Sequence, residues 1–244
     1  MENMSKYALV TGADRGLGLE LAKGLARNGY TVFAGRFASD WSELEAAERA
    51  NPDCLIPVSL DVGSSNSVKQ ALEVVRSKTD KLEIILNNAA IVDPANAGKT
   101  ITESMDFESM LRTFNVTALG ALRVTHAFMP LLLNGSGKLV ANVSSEAGSL
   151  NQSWRNNGYA YCMSKASLNM HSTITYNKLR DLGGHVLNLH PGWVQGRLGG
   201  SLNTSADLTP EFSANHLIEI ILRYRTYQTN KPAFLNWLGQ DLAY

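Results

Sequence analysis

Cysteine is nearly absent: Cys54 and Cys162 are the two in 244 residues, which excludes a disulfide framework and a cysteine-built metal site. The five histidines fall into no His-x-x-x-His or carboxylate cluster, so no metal is expected. Neither sign of charge dominates, with 22 Lys plus Arg against 22 Asp plus Glu. No basic run with interleaved aromatics occurs, which argues against nucleic acid and anionic membrane surfaces as partners. Long apolar runs are missing too. Leu217 to Leu222 is broken by Glu219 and is too short to span a bilayer, and the N-terminus lacks a secretory pattern. A cytoplasmic protein without a membrane partner is therefore expected. No linker, repeat or low-complexity stretch divides the chain, and its length suits one domain over residues 1–244, large enough for its own core.

What the chain does have is alternation. Apolar strand-like runs at Lys6 to Val10, Tyr30 to Arg36, Cys54 to Leu60, Leu82 to Leu86, Lys138 to Ser144, His185 to His190 and Pro232 to Trp237 are separated by helical periods. Runs apolar on both faces predict a parallel sheet covered by helices on each side, a doubly wound α/β fold. Asp40 with Glu43 forms a capping-box helix start, and Thr209-Pro210-Glu211 opens a helix predicted to run to about Tyr224. Two loops rich in Gly, Asn and Ser, Glu146 to Asn157 and Gly196 to Leu208, follow strands. Ligands bind outside the carboxyl ends of strands in such sheets, so both loops are expected to flank a pocket.

Two motifs carry chemistry. The first strand runs into Thr11-Gly12-Ala13-Asp14-Arg15-Gly16-Leu17-Gly18, and Leu17, Leu21 and Leu25 continue at helical spacing. A glycine-rich turn between strand and helix lets backbone N–H groups approach a pyrophosphate. The second motif is Tyr161-Cys162-Met163-Ser164-Lys165, which on a helix sets a phenol and an ammonium one turn apart on one face. A free phenol, with a pKa of about 10, is a poor acid or base near neutrality. A nearby positive charge favours its ionised form and is expected to bring it towards the working range.

Together with Leu60-Asp61-Val62, Asn87-Asn88-Ala89-Ala90, Asn115-Val116-Thr117-Ala118, Asn142-Val143-Ser144-Ser145 and Pro191-Gly192, these motifs resemble the short-chain dehydrogenase/reductase family across nearly the whole chain. Gly158 to Met170, His190 to Gln195 and Asn236 to Gln240 resemble its C-factor and sniffer-like carbonyl reductase branch. The resemblance implies a single Rossmann-type domain that carries out NAD(P)H-dependent reduction of a carbonyl. It assigns Tyr161 as proton donor, Ser145 as holder of the substrate oxygen, Lys165 to the nicotinamide ribose and to lowering the tyrosine pKa, and Asn115 to a water linking Lys165 to solvent. For the cofactor it implies Gly12, Asp14, Arg15, Gly16, Leu17 and Gly18 at the pyrophosphate turn. Asp61 and Val62 would meet the adenine, Asn88, Ala89 and Ala90 the adjoining ribose, and Pro191, Gly192 and Val194 the nicotinamide side.

Cofactor choice depends on the end of the second strand, where NAD-preferring relatives carry an acidic residue. Here Arg36 stands there and Arg15 lies in the turn, so NADPH/NADP is favoured and NADH/NAD remains possible. Glu146, Trp154, Trp193 and Leu198 are the candidates for lining a substrate pocket, and few charges among aromatics suit a small or medium apolar carbonyl. Three departures from the family pattern are visible. Ala90 stands where glycine is usual, Gly196 where relatives have threonine, and the stretch from Ser145 to Tyr161 is longer than in many relatives, with Trp154 and Arg155 in the extra loop. A second reading, a dinucleotide-binding regulatory protein of C-factor type with little turnover, follows from these departures. The resemblance also implies a homodimer or homotetramer paired through the helix that carries Tyr161 and its neighbour.

Overall fold

The computed structural model describes residues 5–38, 42–198, 200–227 and 229–244. In chain order the elements are β1 Lys6–Val10, α1 Gly16–Arg27, β2 Tyr30–Arg36, α2 Ser42–Ala50, β3 Leu55–Ser59, α3 Ser65–Arg76 and β4 Ile84–Asn87. They continue with α4 Phe107–Phe114, a π turn Asn115–Leu119, α5 Gly120–Asn134, β5 Leu139–Val143, α6 Tyr159–Leu179, β6 His185–His190, α7 Pro210–Leu222 and β7 Ala233–Asn236. The strands form one seven-stranded sheet in the order β3-β2-β1-β4-β5-β6-β7, and every pairing is parallel. The order reverses between β1 and β4, which opens a crevice at their carboxyl ends.

Period-two alternation sorts the strand residues between two cores. Ala8, Val10, Val32, Ala34, Ile84, Leu86, Leu139 and Ala141 face one layer, with α1 and α7. Leu9, Phe33, Ile85, Val140 and Val186 face the other, with α3, α5 and α6. Both faces are dry, as the two-sided apolar runs require. Pro57 is tolerated because β3 is an edge strand, where a missing N–H breaks no ladder.

The predicted strands at Lys6, Tyr30 and His185 have the observed limits, those at Cys54, Lys138 and Pro232 are shorter by one residue at each end, and the one at Leu82 begins two residues later and ends one later, at Asn87. Thr209 caps α7 by accepting from the Phe212 N–H at 3.2 Å, with Pro210 at the first helical position. The helix ends at Leu222 and Tyr224 begins a separate 3₁₀ turn, because the Arg223 N–H turns back to the carbonyls of Glu219 and Ile220. Asp40 of the expected capping box lies outside the described residues. A correction concerns apolar length: α4, the π turn and α5 form a continuous helical stretch, Phe107–Asn134, of 28 residues. Its mean hydropathy reaches 1.5, so it is long and apolar enough by composition to cross a membrane. Short polar interruptions hid this in the sequence. In the structure half of that apolar window is buried against the protein itself.

Three asparagines run across the centre of the sheet. Strand register aligns Asn87 with Asn142 and Asn142 with Asn188. Asn87 Nδ2 donates to Asn142 Oδ1 at 2.8 Å, Asn142 Nδ2 to Ser172 Oγ at 2.9 Å, and Ser172 Oγ to Asn188 Oδ1 at 2.7 Å. All are buried, so the amides tie β4, β5, β6 and α6 into one polar seam beneath the crevice. Removing the middle member strands its neighbours. Asn142→Ala is expected to destabilise the protein by about 3 kcal/mol, read as the shift in a urea unfolding midpoint. A change below about 1 kcal/mol would mean that water substitutes for the amide.

Candidate active site

The site grows from the carboxyl ends of β1, β4, β5 and β6. After β1 the chain turns through Gly12 and Gly16, at φ 62° and 54°, a region that favours glycine. A Cβ on Gly18 would lie 2.0 Å from the Gly12 carbonyl oxygen, so the first turn of α1 closes only on glycine. Arg15 takes the N-cap position of α1 without a side-chain cap bond, leaving the first N–H groups of that helix without the usual side-chain acceptor. Asn88 buttresses the turn from β4, its Nδ2 donating to the carbonyls of Thr11 and Gly12 at 3.0 Å each. Thr11 Oγ1 accepts in return from the N–H groups of Asn88 and Ala89, each at 3.0 Å. A Cβ on Gly16 would meet nothing within 4 Å. A rigid cradle of N–H donors with open space above it fits a pyrophosphate.

The neighbouring predicted positions are close by but differently engaged. Asp61 Oδ1 accepts from the Gly63 N–H at 2.8 Å, fixing the loop in which Val62 is buried. Arg36 lies 3.3 Å from Glu45, and Arg15 lies 3.6 Å from the buried Asp14. Ala90 is half-buried beside Ala89. Pro191 is anchored by Ser213 Oγ, which donates to its carbonyl at 2.7 Å, and Gly192 takes φ 82°.

Ser145 lies two residues beyond the end of β5 at Val143, and Tyr161 and Lys165 sit in the first two turns of α6. Three contacts weld these parts together. Lys165 Nζ donates to the Val143 carbonyl at 2.6 Å, Ser144 Oγ to Asn169 Oδ1 at 2.7 Å, and Asn169 Nδ2 to the Gly148 carbonyl at 3.2 Å. Lys165 is buried, its Nζ 5.6 Å from the centre of the Tyr161 ring.

The electrostatics correct the expected role of that lysine. Burial pushes Tyr161 up to about 12, outweighing the opposite pulls of Ser145 and Arg155, while Glu146 and Cys162 push further upwards. Burial also brings Lys165 down to about 7. The phenol is therefore held protonated rather than poised for ionisation, because desolvation penalises its charged form.

Asn115 is held by its side chain. Its Nδ2 donates to the Gly63 carbonyl at 3.0 Å, and its Oδ1 accepts from Arg123 Nη2 at 2.9 Å. Its side chain is thus turned to the loop after β3, from the start of the π turn. Arg123 escaped sequence reading although it ties that loop together, donating also to Ser65 Oγ at 3.1 Å and to the Val62 carbonyl. The signal was its position two helical turns beyond Asn115.

Glu146 is the best placed of the predicted pocket residues. It accepts from Ser145 Oγ at 2.7 Å and pairs with Arg155. His190 Nδ1 lies 3.4 Å from its Oε2. Burial opposes the charge on Glu146, but its bonds to Ser145 and Arg155 and the charges of His190 and Arg155 hold its pKa below the usual value. His190 is itself pushed down, chiefly by burial, and sequence reading passed over it as part of the stretch before Pro191-Gly192. Trp154 stacks on the Arg155 guanidinium at 4.8 Å yet remains 78% exposed. Trp193 and Leu198 are exposed as well, so none of the three is part of a closed lining. The loop bearing Leu198 crosses towards β4, where the Val92 N–H donates to its carbonyl at 3.3 Å.

A parallel sheet in this order, with a glycine cradle after β1 and a serine, tyrosine and lysine gathered at β5 and α6, defines a nucleotide-dependent oxidoreductase scaffold. Residues 6–207 match the short chain dehydrogenase family, and the chain belongs to that family of oxidoreductases. Estradiol 17-beta-dehydrogenase 2 of Mus musculus is 35% identical over 198 residues, covering 80% of this chain and 50% of that protein. The chain thus matches about half the length of that relative. The C-signal protein of Myxococcus xanthus is 41% identical over 122 residues, 50% of this chain and 71% of that protein. Among solved structures, the NADPH-bound carbonyl reductase from chicken fatty liver superposes with a TM-score of 0.84 at 28% identity, covering 98% of this chain and 99% of that one. Carbonyl reductase Sniffer of D. melanogaster gives 0.84 at 25% identity, covering 99% and 100%.

The buried lysine makes a prediction about stability. Its folded pKa of about 7 lies below the unfolded value of 10.5. Between these values the unfolded chain binds the proton that the folded chain refuses, so stability rises with pH across that window and is flat below it. Lys165→Met is expected to lessen the rise in denaturation midpoint between those limits. An identical slope in the variant would show that Lys165 keeps its proton throughout.

Proposed function

We propose that the protein is an NADPH-dependent carbonyl reductase acting on a small or medium, largely apolar ketone or aldehyde. The observation that carries this reading is the junction of β5 and α6, where the Ser145 hydroxyl and the Tyr161 phenol converge beside a buried lysine. A reduced nicotinamide nucleotide, seated on the Gly12 to Gly18 cradle, would supply hydride.

The chain's own residues then have distinct roles. Ser145 donates a hydrogen bond to the carbonyl oxygen and fixes its position. Tyr161 gives its proton to the same oxygen as negative charge develops there. A phenol pKa pushed to about 12 keeps that proton in place at neutral pH, which suits reduction, and arrival of a cationic partner beside the phenol would lower it. By family resemblance Lys165 holds the nicotinamide ribose and Asn115 supports it. Arg36 and Arg15 suit the 2′-phosphate of NADPH. The Arg36–Glu45 pair is half exposed and worth only about 0–1 kcal/mol, so a phosphate can take the guanidinium over. The relatives with NADPH or carbonyl reductase in their names support this choice.

The regulatory alternative has less behind it, since serine, tyrosine and lysine are all present and assembled. Assembly into a homodimer or homotetramer is part of the proposal. Met163, Met170 and Ile174 form an exposed apolar stripe on α6, with Phe107 and Leu111 exposed on neighbouring α4, the surface to which the family resemblance assigns pairing. Light scattering is expected to give a dimer or tetramer, and a monomer at micromolar concentration would contradict it.

Two linked measurements test the activity. Fluorescence titration should give tighter binding of NADPH than NADH in the wild type, with the difference shrinking in Arg36→Ala. Reduction of a ketone and aldehyde panel should follow at the nicotinamide absorbance, and Tyr161→Phe should lower kcat/KM about 10²–10⁴-fold with nucleotide affinity nearly unchanged. Tight binding without turnover of any carbonyl would transfer support to the regulatory reading.

A further inference from the structure

The proton that Ser145 must offer to a substrate is already engaged. A serine hydroxyl has a single hydrogen, and Ser145 Oγ donates it to Glu146 Oε2 at 2.7 Å while accepting from the Ala147 N–H at 3.1 Å. The other oxygen of Glu146 is bound by Arg155 from the far end of the loop. His190 comes from the end of β6, and its Nδ1, 3.4 Å from Glu146 Oε2, is buried and without a hydrogen-bond partner. Ser145, Glu146, Arg155 and His190, together with Tyr161 and Cys162 of α6 and Lys165 behind them, are the polar and titratable groups facing this point.

On the reductase reading, on which this inference rests, binding a carbonyl requires Ser145 to rotate its proton from Glu146 to the substrate. A simple ketone leaves Glu146 Oε2 with only His190 Nδ1 as a replacement donor, at 3.4 Å and outside the usual N–H···O range, and a poorly satisfied, half-buried carboxylate oxygen opposes binding. A hydroxyl on the carbon next to the carbonyl removes that cost. Its oxygen and the carbonyl oxygen can lie within hydrogen-bond distance of each other, about 2.7–2.8 Å, which is the spacing of Ser145 Oγ and Glu146 Oε2. The substrate can then accept from Ser145 with one oxygen and donate to Glu146 with the other. A carboxylate in place of the hydroxyl would face Glu146, and the nearby Arg155 is already paired.

We infer that Glu146 is a specificity-determining residue and that the preferred substrates are neutral α-hydroxy ketones or aldehydes. The hydroxyl serves only as a hydrogen-bond donor and is unchanged. The carbonyl carbon gains hydride from the reduced nucleotide and the carbonyl oxygen gains the Tyr161 proton, so the product is a 1,2-diol. Glu146 was expected to line the pocket, and in this geometry it accepts the hydroxyl hydrogen that replaces that of Ser145.

The test compares kcat/KM for 3-hydroxybutan-2-one, butan-2-one and 2-oxobutanoate with NADPH in the wild type, Glu146→Gln and Glu146→Ala. The wild type should prefer the hydroxy ketone to the plain ketone by on the order of tenfold or more. The ratio should fall towards one in Glu146→Ala. Glu146→Gln, which keeps an acceptor oxygen in nearly the same volume, should retain part of the preference, and circular dichroism checks that each variant is folded. A wild-type enzyme indifferent to the hydroxyl overturns the inference alone, as does a preference that survives in Glu146→Ala. Preference for 2-oxobutanoate also overturns it, since Arg155 would then be reading an anion. Silence with every carbonyl, including a broad panel, overturns the reductase reading and takes this inference with it.

Discussion

The close packing of the β5 exit against the first turns of α6 is the constraint from which the site follows. A Cβ on Gly148 would lie 2.7 Å from the backbone carbon of Lys165, so the turn after Ser145 can rest on α6 only because that residue is glycine. Lys165 bonds back to Val143, and Ser144 and Gly148 are both held by Asn169. Ser145 lies between two of these anchors and Tyr161 one helical turn before the third. A serine on a strand end and a tyrosine on a helix thereby share one rigid frame, which is what positioning two donors on one oxygen demands.

The same packing sets the charges. Burying Lys165 lowers its pKa and burying Tyr161 raises its own, so the two groups keep their protons less and more firmly than in water. Each charged form is costly until a partner of opposite sign or a bound ligand compensates. Around the mouth, Glu146 gathers Ser145, Arg155 and His190 into a nearly neutral cluster. Below it, the asparagine seam supplies a polar floor in which Asn87 and Asn142 donate along the sheet while the buried Asn87 Oδ1 has no partner.

Much of the architecture was legible because it rests on local signals. Two-sided apolar runs gave the parallel strands, and the glycine spacing marked the cradle at the end of β1. Motif order brought Ser145, Tyr161 and Lys165 to one place before any coordinates did. The errors share a cause: they turn on where a side chain spends its hydrogen bonds. Spacing puts Lys165 one turn from Tyr161 but does not say that its ammonium reaches Val143. The amide of Asn115 is likewise taken by Gly63 and Arg123, partners distant in sequence or reached across a π turn. Asn87, Asn142 and Asn188 look like unrelated polar interruptions until strand register lines them up. Glu146, Arg155 and His190 meet through loop conformation, which no periodicity encodes.

The central claim is that this junction directs hydride to a carbonyl carbon while Tyr161 protonates the oxygen. Reduction of a carbonyl substrate with NADPH deuterated at the transferring C4 position, followed by mass spectrometry and NMR of the product, addresses it directly. The account predicts one deuterium on the new carbinol carbon, and none at that carbon when unlabelled NADPH is used in deuterated water. Nucleotide oxidation without a labelled alcohol, or solvent deuterium on the carbinol carbon, would contradict it.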